Sequence, residues 1–553
     1  MSPEGENMNI KLSRWIAAII AVIVTLGEAW LAWYLTCPAI NFRSAGFWTY
    51  LFIMLIILLI NMAIANAIRK VITEDYGDFD DFGSNSITYI TLGIVVLFGL
   101  AFLITSITGW KCNNWKKYAN LIEVEKANFT DDIPEFNAKD AITVDYKGAN
   151  QLGDRALSTI ENASWYDADP EYNLVSIAGN LYRITPINYG GLFKFNQAKE
   201  VGIPGFIMVD AKTGEYKVQN FKEPMRYSPS AYWEHDLIRH LRYKFPGYVF
   251  ANKSFFEVDD DLNPYWITPV RESQAGLYGA QVTKCVIITD AVTGEVEVYS
   301  PNAVPEWVDH VESISYLKEL VRWHYRYQNG WWNPSKTNIF NVSSDYNSVV
   351  TENGEIWFTI GLTPANAAQS NVAFLLMSPK TGEVRRYEAY GASEKSAQSA
   401  AAGLVQDMGY TATFPIIINI DGNETYYMLL KDSEGLVRNY ALCNVEQYTI
   451  VVQAESVEKA VQLYKDKLAV SGNASNDYQS EIIGYINECG VAQIDGFTYY
   501  YFTIVGTDLI FKSSIQNNSM QPIKIKEGQK VTVEYYLSSE DGIAIVTSIT
   551  FTD

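Results

Sequence analysis

One carboxylate lies inside an apolar stretch, where a charged side chain is energetically unfavourable. Glu28 stands in the middle of the apolar run 15–36, and a charged side chain at a bilayer centre costs about 2.5–3.5 kcal/mol on insertion scales. It therefore needs a polar partner, and Asn61 and Asn66 in the next apolar run are available. Glu28 with Asn61 could bind a proton or an ion, or contact another membrane protein. Alternatively, a protonated Glu28 holds the helices together.

A second group of carboxylates lies in the segment Asp259–Asn263, which reads DDDLN and opens like a calcium-binding loop. An EF-hand needs glycine at the sixth position and glutamate at the twelfth, and this chain has Pro264 and Val270 there. We therefore interpret the segment as a polar turn between strands. The same carboxylates, or Glu234, are the candidates if the protein is an enzyme with an unrecognised site.

Histidine and cysteine offer little further chemistry. His235 and His240 fall in one predicted helix, and a separation of five residues directs them to different faces, unlike a metal-binding pair. The five cysteines form no C-x-x-C motif, and Cys285 reads as a small buried strand residue. Cys37 and Cys112 follow the first and third apolar runs, so they share a membrane face. They are a candidate disulfide if that face is oxidising, and otherwise two free thiols.

The aromatic residues are densest in WHYRYQNGWWNPS, residues 323–335. Trp331 and Trp332 could anchor a recognition patch. The alternative is a helix end that packs over a sheet, with Asn329 and Gly330 as its stop signal.

The first 110 residues predict a three-helix membrane anchor. The apolar runs 15–36, 47–68 and 87–108 are each long enough to cross a hydrocarbon core of about 30 Å. Three crossings place the N-terminus and the C-terminal body on opposite sides. Lys11 and Arg14 before the first run outnumber Arg43 after it, so we expect a cytoplasmic N-terminus and an extracytoplasmic body.

The whole chain of 553 residues is acidic, with a formal net charge of −21. This charge argues against nucleic acid as a partner, because phosphates need Lys and Arg. Only four histidines are present, which leaves little material for acid–base catalysis near neutral pH. No G-x-S-x-G, P-loop or H-E-x-x-H motif occurs, and nothing implies a cofactor.

Nearly the same phrase occurs three times: FIMVDAKTGEYKV ending at Val218, VIITDAVTGEVEV ending at Val298, and FLLMSPKTGEVRRY ending at Tyr387. Alternating β-branched residues around a T-G pair predict a hairpin. A shorter relative, KDSEGLV, is interpreted as a fourth copy. The predicted turn residues are Asp210, Gly214, Asp290, Gly294, Gly382 and Gly435, and folding alone explains them.

A predicted helix precedes each hairpin region, so each unit reads as a helix that covers a small antiparallel sheet. The predicted helices begin at Gly153, Pro229, Ser313 and Ser393. The chain is thus an α+β multidomain protein. Its predicted parts are the anchor 1–110, a linker 111–150, the units 151–223, 224–305, 306–392 and 393–470, and a C-terminal domain 480–553.

The units resemble PepSY-type domains, in which a helix precedes an antiparallel sheet whose last hairpin reads D-A-x-T-G-E. Asp210–Glu215 and Asp290–Glu295 match this pattern, whereas Ser378–Glu383 replaces D-A with S-P. The resemblance covers about half of the chain. It implies an extracytoplasmic, non-catalytic module, in some cases linked to the inhibition of secreted peptidases or to envelope signalling.

The segment 480–553 reads as five short strands, and GQKV before TVEYY resembles the late-strand signature of small OB-like barrels. Such barrels bind oligomers through exposed aromatics, and Tyr499, Tyr500 and Tyr501 could form that face. Lysine is sparse here, so a structural or protein-binding barrel is favoured over one that binds single-stranded nucleic acid.

Repeated modules without a catalytic motif predict a non-catalytic, membrane-anchored protein of a bacterial envelope. Its units would form an extended arm that binds or scaffolds a protein, a peptide or a wall polymer and could modulate a peptidase. A membrane-transport or channel subunit that uses Glu28, and an enzyme with an unrecognised carboxylate site, are the alternatives. The sequence leaves the oligomeric state open.

Overall fold

The computed structural model describes residues 3–72, 86–365, 370–470, 480–494, 497–514, 524–537 and 542–552. This part of the chain contains three long N-terminal helices, four sheets and a closed barrel. The helices are α1 Pro3–Thr36, α2 Ala45–Ile72, α3 Ser86–Thr108, α4 Lys111–Ala119, α5 Phe129–Asp132, α6 Tyr146–Leu157, α7 Leu192–Ala198, α8 Leu237–Lys244, α9 Ile314–Tyr327, α10 Glu394–Gly403 and α11 Val457–Val470.

The first three helices can cross a membrane by length and composition. Their apolar stretches are Trp15–Thr36, Ala45–Ile72 and Tyr89–Thr108, of 22, 28 and 20 residues. These lengths suffice for a hydrocarbon core of about 30 Å, so the three predicted helices are confirmed, and their length and composition support association with a membrane. The central helix α2 packs against both α1 and α3.

The four sheets share one strand order. A long strand pairs on one edge with two short strands that precede it. Its other edge pairs with the next strand, which pairs in turn with the strand after that, and these pairings are antiparallel. The strands are β2 Tyr166–Ala168, β3 Asn173–Ile177, β4 Asn180–Tyr189, β5 Ile203–Asp210 and β6 Tyr216–Met225 in the first sheet; β7 Val249–Phe250, β8 Phe255–Val258, β9 Pro264–Ala275, β10 Gly279–Asp290 and β11 Val296–Tyr299 in the second; β12 Phe340–Val342, β13 Asn347–Val350, β14 Ile356–Pro364, β15 Ser370–Met377 and β16 Val384–Ala392 in the third; and β17 Thr411–Ala412, β18 Ile416–Ile420, β19 Asn423–Lys431, β20 Val437–Asn444 and β21 Val451–Ala454 in the fourth.

A capped helix precedes each sheet. The side chains of Asp145, Asp236, Ser313 and Ser393 accept a hydrogen bond from a backbone N–H at the start of α6, α8, α9 and α10, as helix caps do. The helix before the first sheet begins at Tyr146, before the predicted start at Gly153. The predicted helix 229–246 is reduced to α8, because its first residues form a loop in which Trp233 has φ +56°.

The glycines of the repeated phrase lie in hairpin turns. Gly214, Gly294 and Gly382 have φ of +75°, +74° and +78°, a conformation that glycine adopts without a Cβ penalty. All three turns join the fourth and fifth strands of their sheets. In the first turn, Oδ1 of Asp210 accepts the N–H groups two and three residues further on, both at 2.8 Å. Asp290 accepts the equivalent pair at 2.8 and 2.9 Å.

Gly435 occupies a different place. It lies in a hairpin turn with φ +82°, but this turn joins β19 to β20, the third and fourth strands of its sheet. The turn between the fourth and fifth strands of that sheet is formed by residues 445–450. KDSEGLV is therefore not the positional equivalent of the D-A-x-T-G-E turn, although both sequences satisfy the same requirement for a positive φ.

The predicted linker 111–150 is packed structure. After α4, β1 Val124–Lys126 joins the edge of the third sheet in parallel with β16. Phe129 and Ile133 are buried in the core of the third and fourth sheets, and the backbone N–H of Phe136 donates to Asn419 O at 2.7 Å. Apolar residues of this stretch are buried between sheets, whereas the sequence pattern predicted a linker.

The hydrophobic cores of neighbouring sheets are continuous. One core joins the third and fourth sheets with Leu174 and Ala211 of the first, and another joins the first and second sheets. The sheets therefore share their apolar faces with neighbouring sheets.

The second sheet is attached to the membrane anchor. Arg242 of α8 is buried, and its guanidinium donates to the carbonyls of Cys37, Phe245, Pro246 and Tyr248 at 2.5–3.2 Å. On the same side of the anchor, near the end of α3, the hydroxyl of Tyr278 in the β9–β10 turn lies within 3.2 Å of the oxygens of Thr105, Ser106 and Phe102.

The C-terminal segment forms a closed barrel, as predicted. Its strands are β22 Ser480–Ile494, β23 Phe497–Ile504, β24 Ile510–Ser514, β25 Lys530–Leu537 and β26 Ile543–Thr552. Their order around the barrel is β22-β23-β24-β26-β25, with β24 and β26 parallel. Phe502, Phe511, Val531 and Val533 fill the interior. This arrangement has the five strands of an OB-like barrel, and Tyr536 ties it to α11 by donating to Lys465 O at 2.9 Å.

We expect Gly153→Ala to destabilise the protein by about 1–3 kcal/mol through overpacking. A Cβ at this position of α6 would lie 1.7 Å from the hydroxyl oxygen of Tyr172 and 2.7 Å from its Cζ. The higher helix propensity of alanine offsets at most about 1 kcal/mol of this cost. The measurement is the midpoint of thermal unfolding of the full chain in nanodiscs.

Tyr172→Phe is the matched control. It removes a buried hydroxyl that has no hydrogen-bond partner within the described ranges, so alone it should be neutral or stabilising. In combination with Gly153→Ala it should recover part of the lost stability. Equal losses for Gly153→Ala with and without Tyr172→Phe would contradict the clash.

Candidate functional site

The polar residues of the membrane helices contact one another. Asn61 Nδ2 donates to Glu28 Oε2 at 2.6 Å and to Thr25 Oγ1 at 3.0 Å, so the pair predicted from the sequence bridges α1 and α2. This contact is what a helix-joining role requires.

The two cysteines that follow the membrane spans are unpaired. Cys37 is buried, with a thiol whose pKa is raised by burial. Cys112 is half-buried, and its Sγ lies 3.6 Å from the side-chain oxygen of Asn113. The candidate disulfide between Cys37 and Cys112 is therefore not formed in the structure.

The other residues that the sequence suggested as site candidates form a turn or pack against neighbouring side chains. Oδ1 of Asp259 accepts the backbone N–H groups of Asp261 and Asn263 at 3.0 and 2.8 Å, so the segment is a tight turn. His235 lies outside α8, and its ring and that of His240 both pack on Tyr227. The two histidines thus approach the same side chain, contrary to the prediction of different faces.

Trp331 and Trp332 are exposed. Half of the Trp331 surface and 75% of the Trp332 surface are accessible, and their ring centroids lie 6.0 Å apart. The alternative of a helix end packed over the sheet therefore does not describe these two residues. In the barrel, Tyr499, Tyr500 and Tyr501 are half-buried, and Lys512 Nζ lies 4.5 Å from the Tyr499 ring centroid.

The structure adds a site that the sequence did not indicate. A cavity of about 820 Å³ lies where the first, second and third sheets meet. We call it the junction cavity. Each of the three sheets contributes to its wall, as do α6 and α9, so the cavity exists only once these sheets have packed together. A cavity of this size falls in the range of typical ligand sites.

The walls of the junction cavity are rich in aromatic rings. They come from the start of α6, the segment before β3, β7, the β9–β10 turn, the first turn of α9 and the segment before β13. In this order the rings are Tyr146, Tyr172, Phe250, Tyr278, Tyr316 and Tyr346. Tyr146 and Tyr346 are 45% and 37% exposed, so they stand at the entrance. Flat rings in such a place bind sugar rings or apolar side chains by stacking.

Polar groups are placed among these rings. Asn173, Asn252 and Gln281 supply amides. Lys253 pairs with Glu171, and burial lowers the pKa of Lys253. Amides and a paired charge provide both donors and acceptors, which suits a ligand with peptide or hydroxyl groups.

One wall is held by a buried ion pair. Arg271 of β9 binds Glu312 with two hydrogen bonds of 3.0 and 2.7 Å, and its guanidinium lies 3.7 Å from the ring centroid of Tyr316. Both charged side chains are over 90% buried. The pair joins the second sheet to α9, so it positions the ring of Tyr316 in the cavity.

Two lining residues of types used in catalysis, Ser313 and His310, have structural roles. Ser313 caps α9 by accepting from the N–H of Tyr316, and Nδ1 of His310 lies 2.8 Å from Glu257 Oε1. Neither side chain is arranged as a nucleophile next to a base, which acyl transfer requires. The arrangement of these walls is suited to binding.

Beside the cavity lies a buried group of titratable residues. Glu257 and His310 are 1% and 2% exposed, and Asp309 accepts from the N–H of Ser176 at 2.8 Å. Burial raises the pKa of Glu257 well above its usual range, raises the pKa of Asp309 to about 7, and lowers the pKa of His310 to about 4. The group therefore binds protons differently in the folded and unfolded chain.

We expect the members of this group to give opposing pH dependences of the stability of the folded chain. The folded pKa of Asp309 is raised, so its contribution to stability is complete below about pH 4 and is lost as pH rises through 7. Glu257 acts in the same direction. The folded pKa of His310 is lowered, so its contribution is complete above about pH 6.5 and is lost as pH falls through 4. Each group alone gives a slope of up to about 1.4 kcal/mol per pH unit.

Single substitutions separate the fall in stability with rising pH that Asp309 causes from the rise that His310 causes. Between pH 4 and 6.5, His310→Gln should make stability fall more steeply with rising pH than in the wild type, because the opposing histidine is lost. Asp309→Asn should make the fall shallower. The measurement is the thermal unfolding midpoint of each chain in nanodiscs across this range. Parallel profiles for all three chains would contradict the assigned shifts.

No protein-family profile matches the chain, and no curated protein matches it.

Proposed function

We propose that the protein is a non-catalytic, membrane-anchored binding protein of a bacterial envelope, with its body on the extracytoplasmic side. The junction cavity accepts a segment of a polypeptide or a wall polymer. The observation that carries this proposal is the cavity itself, with aromatic rings, amides and a paired lysine between three sheets.

Two further features support the proposal. The four sheets share a strand order, and in three of them the repeated turn joins the last two strands, as in the PepSY-type pattern that the sequence resembles. Extracytoplasmic, non-catalytic binding is what that resemblance implies. The excess of basic residues before the first span favours the same orientation.

The test uses the full chain in nanodiscs with two probes, solubilised wall-glycan fragments and a pool of random-sequence peptides. We expect the wild type to retain one of them. Tyr146→Ala combined with Tyr346→Ala should weaken retention about tenfold or more, because truncation of aromatic contacts in a binding site commonly costs over 1.4 kcal/mol.

Tyr390→Ala is the matched control. Tyr390 is 69% exposed and does not line the junction cavity, so its loss should leave retention unchanged. Retention of neither probe, or equal retention by the cavity variant and the wild type, would refute the proposal.

A further inference from the structure

Helix α9 runs toward the membrane. Its first turn follows Glu312, which binds Arg271, and Arg271 lies four residues before the end of β9 at Ala275. Its last turn contains Tyr327, which is buried in a cluster with Tyr118, Ala275 and Ala280. From Arg271 to Ala275, β9 extends by about 13 Å, because each strand residue adds about 3.3 Å. Helix α9 therefore runs in the same direction as this part of β9, from Arg271 toward Ala275.

The cluster at the end of α9 is at the membrane boundary. The hydroxyl of Tyr118 donates to the carbonyl of Gly109 at 3.0 Å, and Gly109 directly follows the membrane span Tyr89–Thr108. Tyr278 from the β9–β10 turn reaches further, to the carbonyl of Phe102 inside that span, at 3.2 Å. The C-terminal end of α9 is therefore level with the end of α3.

The loop after α9 presents two tryptophans at this level. Residues 328–339 connect α9 to β12, and Trp331 and Trp332 follow the end of α9 by four and five residues. The loop is braced, since Asn329 and Asn333 both donate to the carbonyl of Thr337, at 3.0 and 2.9 Å. This bracing leaves both indole rings outside the loop, half and three-quarters exposed.

Exposed basic side chains lie in this loop and on α9 and α4, which pack together, although the chain is acidic overall. They are exposed on α4, on the outer face of α9 and in the loop itself, at Lys116, Lys117, Arg322, Arg326 and Lys336. A basic residue near an anionic lipid surface contributes about 1 kcal/mol of attraction. Tryptophan favours the headgroup region, where its ring is apolar and its N–H can reach water.

We propose that Trp331 and Trp332 insert into the headgroup region of the same bilayer that holds α1–α3. The loop is then a second attachment of the body to the membrane, separate from the junction cavity. It orients α9, whose first turn carries Tyr316 into that cavity.

The experiment places an environment-sensitive nitrobenzoxadiazole label at Trp332→Cys in the full chain, with Cys112, Cys285 and Cys489 replaced by alanine. The chain is reconstituted in vesicles of phosphatidylcholine and phosphatidylglycerol that contain doxyl-labelled lipid. We expect blue-shifted emission and quenching several-fold stronger than for the same label at Ser433→Cys, an exposed position in the Gly435 turn.

Emission and quenching at position 332 that equal those at position 433 would overturn the proposal. They would indicate that the tryptophans face water or a soluble partner. A second measurement guards against an effect of the label. Quenching of native tryptophan fluorescence by brominated lipid should be smaller in Trp331→Phe/Trp332→Phe than in the wild type, and equal quenching would also overturn the proposal.

Discussion

Replacement of Glu312 with methionine is expected to lower the free energy of unfolding by about 3–5 kcal/mol, because it leaves the guanidinium of Arg271 buried without its counter-ion. Both side chains are over 90% buried, and they are joined by two hydrogen bonds. The loss should appear as a lower thermal unfolding midpoint of the full chain in nanodiscs. Retention of the probe in the junction cavity should fall as well, since the pair positions Tyr316.

The double variant Arg271→Met/Glu312→Met is the control. Replacement of a whole buried ion pair by apolar residues is often neutral for stability, so the double variant should recover most of the lost stability. A double variant as unstable as the single one would show that packing, rather than an unpaired charge, explains the loss.

Arg242→Met is expected to loosen the contact between the second sheet and the end of the first membrane span. The guanidinium donates to four carbonyls, one of them at Cys37 beside the first span, and buried acceptors left without a donor cost about 1–3 kcal/mol each. Its pKa is lowered by burial to about 10, so the group remains charged at neutral pH. Hydrogen exchange of residues 37–41 and 245–248 in nanodiscs should become faster.

Two controls separate attachment from charge. Arg226→Met removes an exposed arginine of the same region and should leave exchange at 37–41 unchanged. Arg242→Lys keeps the charge, but an ammonium on a single stem cannot serve four carbonyls in a planar fork, so exchange should still be faster than in the wild type. Unchanged exchange in Arg242→Met would contradict the attachment.

Local patterns in the sequence correspond to local features of the structure. The apolar runs predicted the three membrane helices because a bilayer sets the length of a span. The alternating C-terminal segment predicted the barrel because strands have a period of two residues. Ser313 and Ser393 marked helix starts, since a cap acts on N–H groups within three residues.

The predictions from sequence were wrong where contacts between residues distant in the chain determine the structure. Residues 111–150 read as a linker because their apolar side chains, such as Phe129 and Ile133, follow no regular period. They are buried against sheets more than 200 residues away in the chain. Gly435 read as a fourth copy because any hairpin turn with a positive φ favours glycine, and the order of strands in the sheet cannot be read from the turn.

The sequence by itself determined the spans, the sheet hairpins and the acidity of the chain, because length, period and charge are local or additive quantities. The tertiary structure alone decided that three sheets enclose a cavity, that Arg271 meets Glu312, and that α9 carries Trp331 and Trp332 to the membrane boundary. These features depend on side chains that are far apart in sequence and meet only through packing, and no local pattern records which pairs will meet.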